Sequence, residues 1–199
     1  MKKTFYFLMA FTAIVFASCG EKKEAAAVAA PPVEEGYKIG DYYNDGTKEG
    51  IIFSLSKDKK RGKILSLNES TAKWASRAVS KRETDATSDK NGMTNLNEIK
   101  NMSNWESNYP AFAWCASLGE GWYLPASDEL GLICDNRDAI NKTLNDKGYD
   151  ALTGWYWSST EMDNAYSWGY QLSKEEWSNI GSGYNEKHVN CSVRAVAAF

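Results

Sequence analysis

Histidine is almost missing from this chain, with His188 the only one in 199 residues. That excludes His-rich zinc sites and the two-histidine metalloprotease helix, which need imidazoles the chain does not have. No sign of charge dominates either. Lys+Arg number 23 against Asp+Glu 26, for a formal charge of −3, so no basic surface is available to neutralise phosphates and nucleic acid is not an expected partner. No apolar run is long enough to span a bilayer comfortably. The N-terminal one, Phe5 to Phe16, is twelve residues. Nucleotide and nucleophile signatures are missing too. Gly62-Lys63 lacks the upstream Gly and the following Ser/Thr of a P-loop, and no G-x-S-x-G occurs. Asp41 to Gly46 has the look of a calcium loop. However, Tyr43 stands third and Ile52 twelfth, where oxygen ligands are required. No cofactor and no metal site are expected.

Aromatic residues are abundant, at 13% with 8 Trp and 11 Tyr. The other positive features are positional. Lys2 and Lys3 precede the apolar run, which ends in Phe16-Ala17-Ser18-Cys19-Gly20. A charged start, a short apolar segment and small residues before a cysteine resemble the bacterial lipoprotein signal, with Phe16 where Leu is usual. The resemblance implies cleavage after residue 18 and diacylation of Cys19. Two or three acyl chains anchor stably, at about 0.8 kcal/mol per buried methylene. Residues 1–18 then form a signal peptide. Residues 19–35, running through Glu21 to Glu35 with the Pro31-Pro32 pair, form the lipidated cysteine and a flexible linker. The expected location is the cell envelope, on the outer membrane, facing either the periplasm or the surface.

Residues 36–199 carry no second linker and suit one domain with a core. Tyr37 to Tyr43 predicts a strand. Ile51, Phe53 and Leu55 alternate with polar or opposite-face residues, and Lys63 to Leu67 returns across the charged tip 57–62, which predicts a hairpin. Residues 78–98 read as an irregular loop. Ala111, Trp114, Cys115 and Leu118 form a helical stripe, with Pro110 in the first turn and Gly119 as the stop. Ser127 is the expected cap of a second helix bearing Leu130, Ile133 and Cys134, and Ala139 to Lys147 continues helically to Gly148. Strand patterns fill residues 156–160, 165–172 and the terminal run through Val189, Cys191, Val193, Ala195, Ala197 and Phe199. Strands, central helices and strands again make an α+β domain.

Three motifs occur in order: Gly121-Trp122-Tyr123-Leu124-Pro125 with Asp128-Glu129-Leu130, then Tyr156-Trp157-Ser158-Ser159-Thr160-Glu161, then Val193-Arg194-Ala195-Val196. Together they resemble the Lcl C-terminal-like domain family of bacterial lipoproteins, over roughly residues 105–199. The resemblance implies a C-type-lectin-like fold. The Glu-Pro-Asn, Gln-Pro-Asp and Trp-Asn-Asp triplets of calcium-dependent sugar lectins are absent, so calcium-dependent sugar binding does not follow. The family's helix-to-last-strand disulfide has a match at Cys115, while its partner position is Ala195 and the nearest cysteine is Cys191. A Cys115–Cys191 bond, displaced from the family's, is therefore the expected pairing, set against three buried free thiols at 115, 134 and 191.

The region 155–188 is the most suggestive of contact. Its Trp and Tyr residues are interleaved with Ser, Asn and Gly, a composition suited to rigid rings with adaptable hydrogen bonds. Alternation places Tyr166, Trp168 and Tyr170 on a core face. The expected ligand contacts are then the opposite face and the loops: Asp163, Asn164, Ser167, Gln171, Trp177, Asn179, Tyr184 and Asn185. No catalytic constellation is visible. His188 lies three residues from Cys191 but has no group to orient it. The expected function is a lipid-anchored, non-enzymatic binding module for a glycan or protein ligand. The competing expectation is a structural accessory of a surface fibre, with an edge strand or apolar patch near 37–67 and Trp177 buried.

Overall fold

Among the described residues, alternating and β-branched residues build ten strands around a helical middle. The computed structural model describes residues 36–173 and 179–199. The strands are β1 (Tyr42–Asn44), β2 (Glu49–Leu55), β3 (Gly62–Leu65), β4 (Ser70–Lys73), β5 (Trp122–Tyr123), β6 (Trp155–Glu161), β7 (Tyr166–Gln171), β8 (Gly181–Glu186), β9 (Asn190–Val193) and β10 (Val196–Ala198). The helices are α1 (Gly92–Lys100), α2 (Trp105–Asn108), α3 (Pro110–Ser117), α4 (Ser127–Asp135) and α5 (Arg137–Asp146). The domain is thus mixed α+β.

Two five-stranded sheets form. The first has the order β1-β2-β3-β10-β5 and the second β4-β9-β6-β7-β8. All pairs in the first are antiparallel, and in the second only β6 and β9 run parallel. The chain's last strand therefore lies between the N-terminal hairpin and β5. The terminal run expected to be one strand face is divided. β9 belongs to the second sheet, β10 to the first, and Arg194-Ala195 is the crossing.

Helices α1, α3 and α4 each pack on strands of both sheets, and α5 packs on β2. Their apolar faces close the core there. Trp74, Trp157, Tyr109, Tyr156, Phe53 and Phe112 are its largest buried side chains. Trp74 meets Phe112 edge-on at 5.0 Å and Tyr109 at 5.8 Å, geometries that aromatic quadrupoles favour.

Several local expectations change. The loop expected over 78–98 gives way to α1 at Gly92, because Asn91 caps it by accepting from the Met93 and Thr94 amides while Leu96 and Ile99 turn inward. The first strand is shorter than Tyr37 to Tyr43 and begins at Tyr42. Ser127 is the first residue of α4 rather than its cap, which is Ala126. The Glu129 carboxylate reaches back to the Ala126 amide at 2.8 Å, the acidic half of a capping box.

One charged residue in each of the three motifs is a buried joint: Glu129, Glu161 and Arg194. Glu129 is 3% exposed and accepts also from the Gly92 amide, the Tyr123 hydroxyl and Lys63. Arg194 donates to Glu69 Oε2 at 3.1 Å and to the carbonyls of Ser66, Leu67 and Asp150. Glu161 pairs with Lys187. In each joint, hydrogen bonds offset the cost of removing a charge from water.

Cys115, Cys134 and Cys191 are all buried and free, so the Cys115–Cys191 bond is not formed. The two thiols face different neighbours. Cys115 belongs to the buried stripe of α3, whereas Cys191 Sγ sits 3.9 Å from Asn185 Nδ2 on β8.

Candidate functional site

The β7–β8 pair is in full register, from Tyr166 opposite Glu186 to Gln171 opposite Gly181. Side chains alternate across a pleated strand, so Tyr166, Trp168, Tyr170, Ser182, Tyr184 and Glu186 share one face. The structure reverses the orientation expected from sequence. Ser167 is completely buried and Gln171 is 6% exposed, while Tyr166, Trp168 and Tyr170 are only half-buried.

Packing and hydrogen bonding explain the reversal. Ser167 Oγ donates to the Thr160 carbonyl and Gln171 Nε2 to the Ser173 carbonyl, so both polar groups are satisfied inside. Between them Gly169 stands opposite Gly183, and the Trp155 indole lies across both. A Cβ on Gly169 would fall 2.7 Å from Trp155 Nε1, and one on Gly183 2.7 Å from its Cη2. Glycine inside a strand here marks close approach by a neighbouring ring. Asn185, adjacent to Tyr184, points to this inner face. Its amide approaches Cys191, and its Oδ1 accepts from the Glu186 amide.

On the outer face, Tyr184 is 56% exposed. Its ring meets Tyr166 at 5.5 Å and Trp168 at 6.2 Å, both edge to face. Tyr170 tucks towards α4, where a Cβ on Gly131 would lie 2.9 Å from its hydroxyl. Of the four large apolar side chains exposed among the described residues, Met162, Ile180 and Tyr184 belong to this hairpin and its approaches.

The aromatic row ends in a cleft of about 430 Å³ lined by Arg77, Ser80, Lys81, Ala165, Tyr166, Glu186 and His188. Its walls come from three separate segments. His188 Nδ1 is 3.3 Å from Glu186 Oε2. The side chains of Arg77 and Lys81 are exposed and have no acidic partner among the described residues.

Under the cleft lies Lys187, fully closed to solvent. It pairs with Glu161 and donates to the carbonyls of Arg82 at 3.1 Å and Asn164 at 3.2 Å, with the Trp74 ring 4.8 Å away. Glu161 in turn accepts from the Thr84 amide. Desolvation pulls the Lys187 pKa below the ordinary lysine value, against the opposing pull of Glu161. This pair ties together the 82–84 segment, the β6–β7 turn and the β8–β9 link, which continue directly into the three cleft walls.

The remaining expected contact residues are distributed as follows. Asp163 and Asn164 are exposed in the β6–β7 turn, where Asp163 Oδ1 accepts from the Ala165 and Tyr166 amides and the Asn164 carbonyl meets Lys187. Asn179 is exposed just before β8. Trp177 and Cys19 lie outside the described residues. Ser167, Gln171 and Asn185 are not part of the outer face. Arg77, Lys81, Tyr166, Trp168 and Glu186 were not anticipated as contacts. A basic pair four residues apart in a polar stretch, and a glycine centred in the inner face of β7, were the available signals.

Cys191 does not line the cleft that holds His188. Burial pushes its thiol up to about 12, away from thiolate character.

No known family model matches the chain, and no curated protein matches it. Among solved structures it is similar to a fimbrial protein from Bacteroides ovatus, with a TM-score of 0.52 and 17% identity. The match covers 69% of this chain and 36% of the fimbrial protein, so the chain spans about a third of that protein's length. At this identity the likeness is one of fold. No helix among the described residues is long and apolar enough to cross a membrane.

Proposed function

We propose that this chain is a non-enzymatic recognition module of the bacterial cell envelope, anchored by lipid at Cys19, that holds a glycan or protein ligand against the outer face of β7–β8. The observation that carries the reading is the exposed Tyr184, braced by Trp168 and by Tyr166, which itself lines a cleft walled by three chain segments. Rings held rigid lose little freedom on binding, and a cleft with a few polar groups orients what they hold. Membership of the Lcl C-terminal-like family and its C-type-lectin-like fold form part of the same reading, on the strength of the three ordered motifs. Lipid anchoring rests on the signal-like segment ending at Cys19.

A second reading, an accessory of a surface fibre, is favoured by the fimbrial neighbour and by β1. That three-residue strand is an edge of the first sheet, half-open to solvent.

The full chain, screened against glycans and envelope proteins beside its Tyr184→Ala variant, tests the first reading. Binding lost in the variant supports it. Equal binding by both proteins removes the site assignment. Radiolabelled palmitate incorporation, abolished by Cys19→Ala, tests the anchor.

A further inference from the structure

We infer that the tip of the β2–β3 hairpin is the membrane-facing end of this domain, with Lys57, Lys59, Lys60 and Arg61 laid against the headgroup phosphates of the bilayer that holds the acylated Cys19. The inference rests on the anchor in the reading above and adds to it an orientation of the domain.

Charge is concentrated at this tip. Residues 57–61 hold four cations and one carboxylate, in a chain whose formal charge is −3. All five residues are exposed. Asp58 is turned back into the hairpin, where it accepts from the Ser56 hydroxyl and the Lys60 amide and lies 3.9 Å from Arg61. Lys57, Lys59 and Lys60 have no acidic partner among the described residues. The turn that carries them is fixed. The Lys59 amide donates to the Ser56 carbonyl at 2.9 Å, and the Ser56 amide to the Arg61 carbonyl at 2.8 Å. The backbone beneath the cations is thus ordered before any contact is made, which lowers the cost of making it.

The chain enters the domain at the same place. Gly36 is the first described residue, and a Cβ on it would fall 2.8 Å from the Lys59 Cβ. The Tyr37 amide donates to the Lys59 carbonyl at 3.2 Å. The covalent path from Cys19 therefore arrives at the basic tip, and residues 19–35 span at most about 60 Å. A tether ending there keeps the tip at high local concentration over the headgroups, so contacts that are weak singly become populated. Each Lys or Arg beside an anionic surface favours contact by about fivefold.

Half-buried rings flank the entry. Tyr37 meets Phe199 at 5.4 Å and Tyr43 at 5.7 Å, and Phe199 exchanges two backbone hydrogen bonds with Gly62. Tyrosine rings, apolar with a polar edge, suit the headgroup level of a bilayer. A soluble anion or an acidic protein would meet the same charges, but the chain itself brings neither to this end of the domain. Headgroup phosphate is the occupant that charge and chain path select together.

The test uses the full chain, acylated in a bacterial host and reconstituted into vesicles of phosphatidylcholine alone or with about three parts in ten phosphatidylglycerol. Intact mass reports acylation, and flotation reports attachment. Lysines are then methylated with formaldehyde and borohydride. Rates at Lys57, Lys59 and Lys60 are read by peptide mass spectrometry against Lys81 and Lys90, which are exposed on the segment before α1. The expected result is tip methylation slowed by about fivefold or more in phosphatidylglycerol vesicles only. The slowing should vanish in about 1 M salt, where charges are screened within about 3 Å. Lys59→Glu with Lys60→Glu should abolish the protection of Lys57. Equal tip rates in both vesicles, with the chain acylated and floating, would overturn the inference and leave the anchor standing. Equal slowing at Lys81 and Lys90 would overturn the orientation. Tip protection that appears in phosphatidylcholine alone, or survives salt, would overturn the role of charge. A chain neither acylated nor floating would overturn the anchor reading itself, and the inference with it.

Discussion

Lys187 and Glu161 form an ion pair closed to solvent, at 0% and 4% side-chain exposure, directly behind the candidate cleft. Neither charge reaches water, and each is completed by backbone groups from other segments: the Arg82 and Asn164 carbonyls on one side and the Thr84 amide on the other. Such a pair is an uncertain source of net stability but a strict determinant of arrangement, since alternatives leave a charge unmatched. Here it sets the relative positions of the segments that continue into the cleft walls.

Removing one partner should be costly. Lys187→Met leaves Glu161 buried without its cation and is expected to destabilise the fold by roughly 3–5 kcal/mol. Combining it with Glu161→Gln removes the stranded charge while keeping an oxygen for the Thr84 amide, so the double variant should be the more stable of the two. Urea unfolding followed by far-UV circular dichroism checks both. A double variant no better than the single one would contradict the account.

Tyr184→Ala should leave the fold nearly unchanged, within about 0.5 kcal/mol, because the ring is 56% exposed. The same change is expected to remove ligand binding. Matched denaturation and binding curves on one preparation separate the two effects. A large loss of stability would mean that the ring is structural.

Gly183→Val should disturb the inner face of the hairpin. The new side chain meets the Trp155 ring, already 2.7 Å from a Cβ at this position, and overpacking of this kind costs about 1–3 kcal/mol. Tryptophan fluorescence should shift as the indole is displaced. An unchanged spectrum and midpoint would refute the close approach.

The fold should weaken in alkali. Burial raises the Cys191 thiol to about 12 from an ordinary value near 9, and desolvation with a hydrogen bond to Asp45 raises Tyr43 to about 12 from near 10. A folded pKa above the unfolded one means that the native state keeps its proton longer. Stability is then complete below the unfolded values and falls as pH climbs from 9 towards 12. Urea midpoints between pH 8 and 11 should decline, and Cys191→Ala should soften the decline. The three buried cysteines should also resist thiol reagents at pH 8 until the protein is unfolded.

The local readings that succeeded were those in which one element carries its own signal. The 51–55/63–67 hairpin has alternation on both arms and a charged tip. Helix α3 has Pro110 and Gly119 at its ends, and α5 finishes before Gly148. Those that failed needed knowledge of a neighbour. No strand is expected over 181–186, yet Gly181-Ser182-Gly183 forms half of β8, with Gly183 leaving room for the Trp155 ring. Residues 78–98 look too polar for order, yet Asn95 is wholly buried, bonded to Ser88 and Ser159. Within the site, Tyr184 was legible as an aromatic among small polar residues. Arg77 and Lys81 were not, since the cleft brings them to residues about a hundred positions away.

By itself, then, the sequence established an α+β domain, the approximate places of most strands and helices, and an order of motifs with a polar residue in each. Those properties come from period, end signals and composition, which act along the chain. The three-dimensional packing alone decided which face of β7 turned outward. Alternation states that Tyr166 and Ser167 must point opposite ways, but it assigns neither to the interior. That choice fell to Trp155 lying over Gly169 and Gly183, and to internal acceptors that made burial of Ser167 and Gln171 inexpensive. The exposed ring face of β7–β8 is the consequence: its rings are outside because the hydroxyl of Ser167 and the amide of Gln171 found partners within.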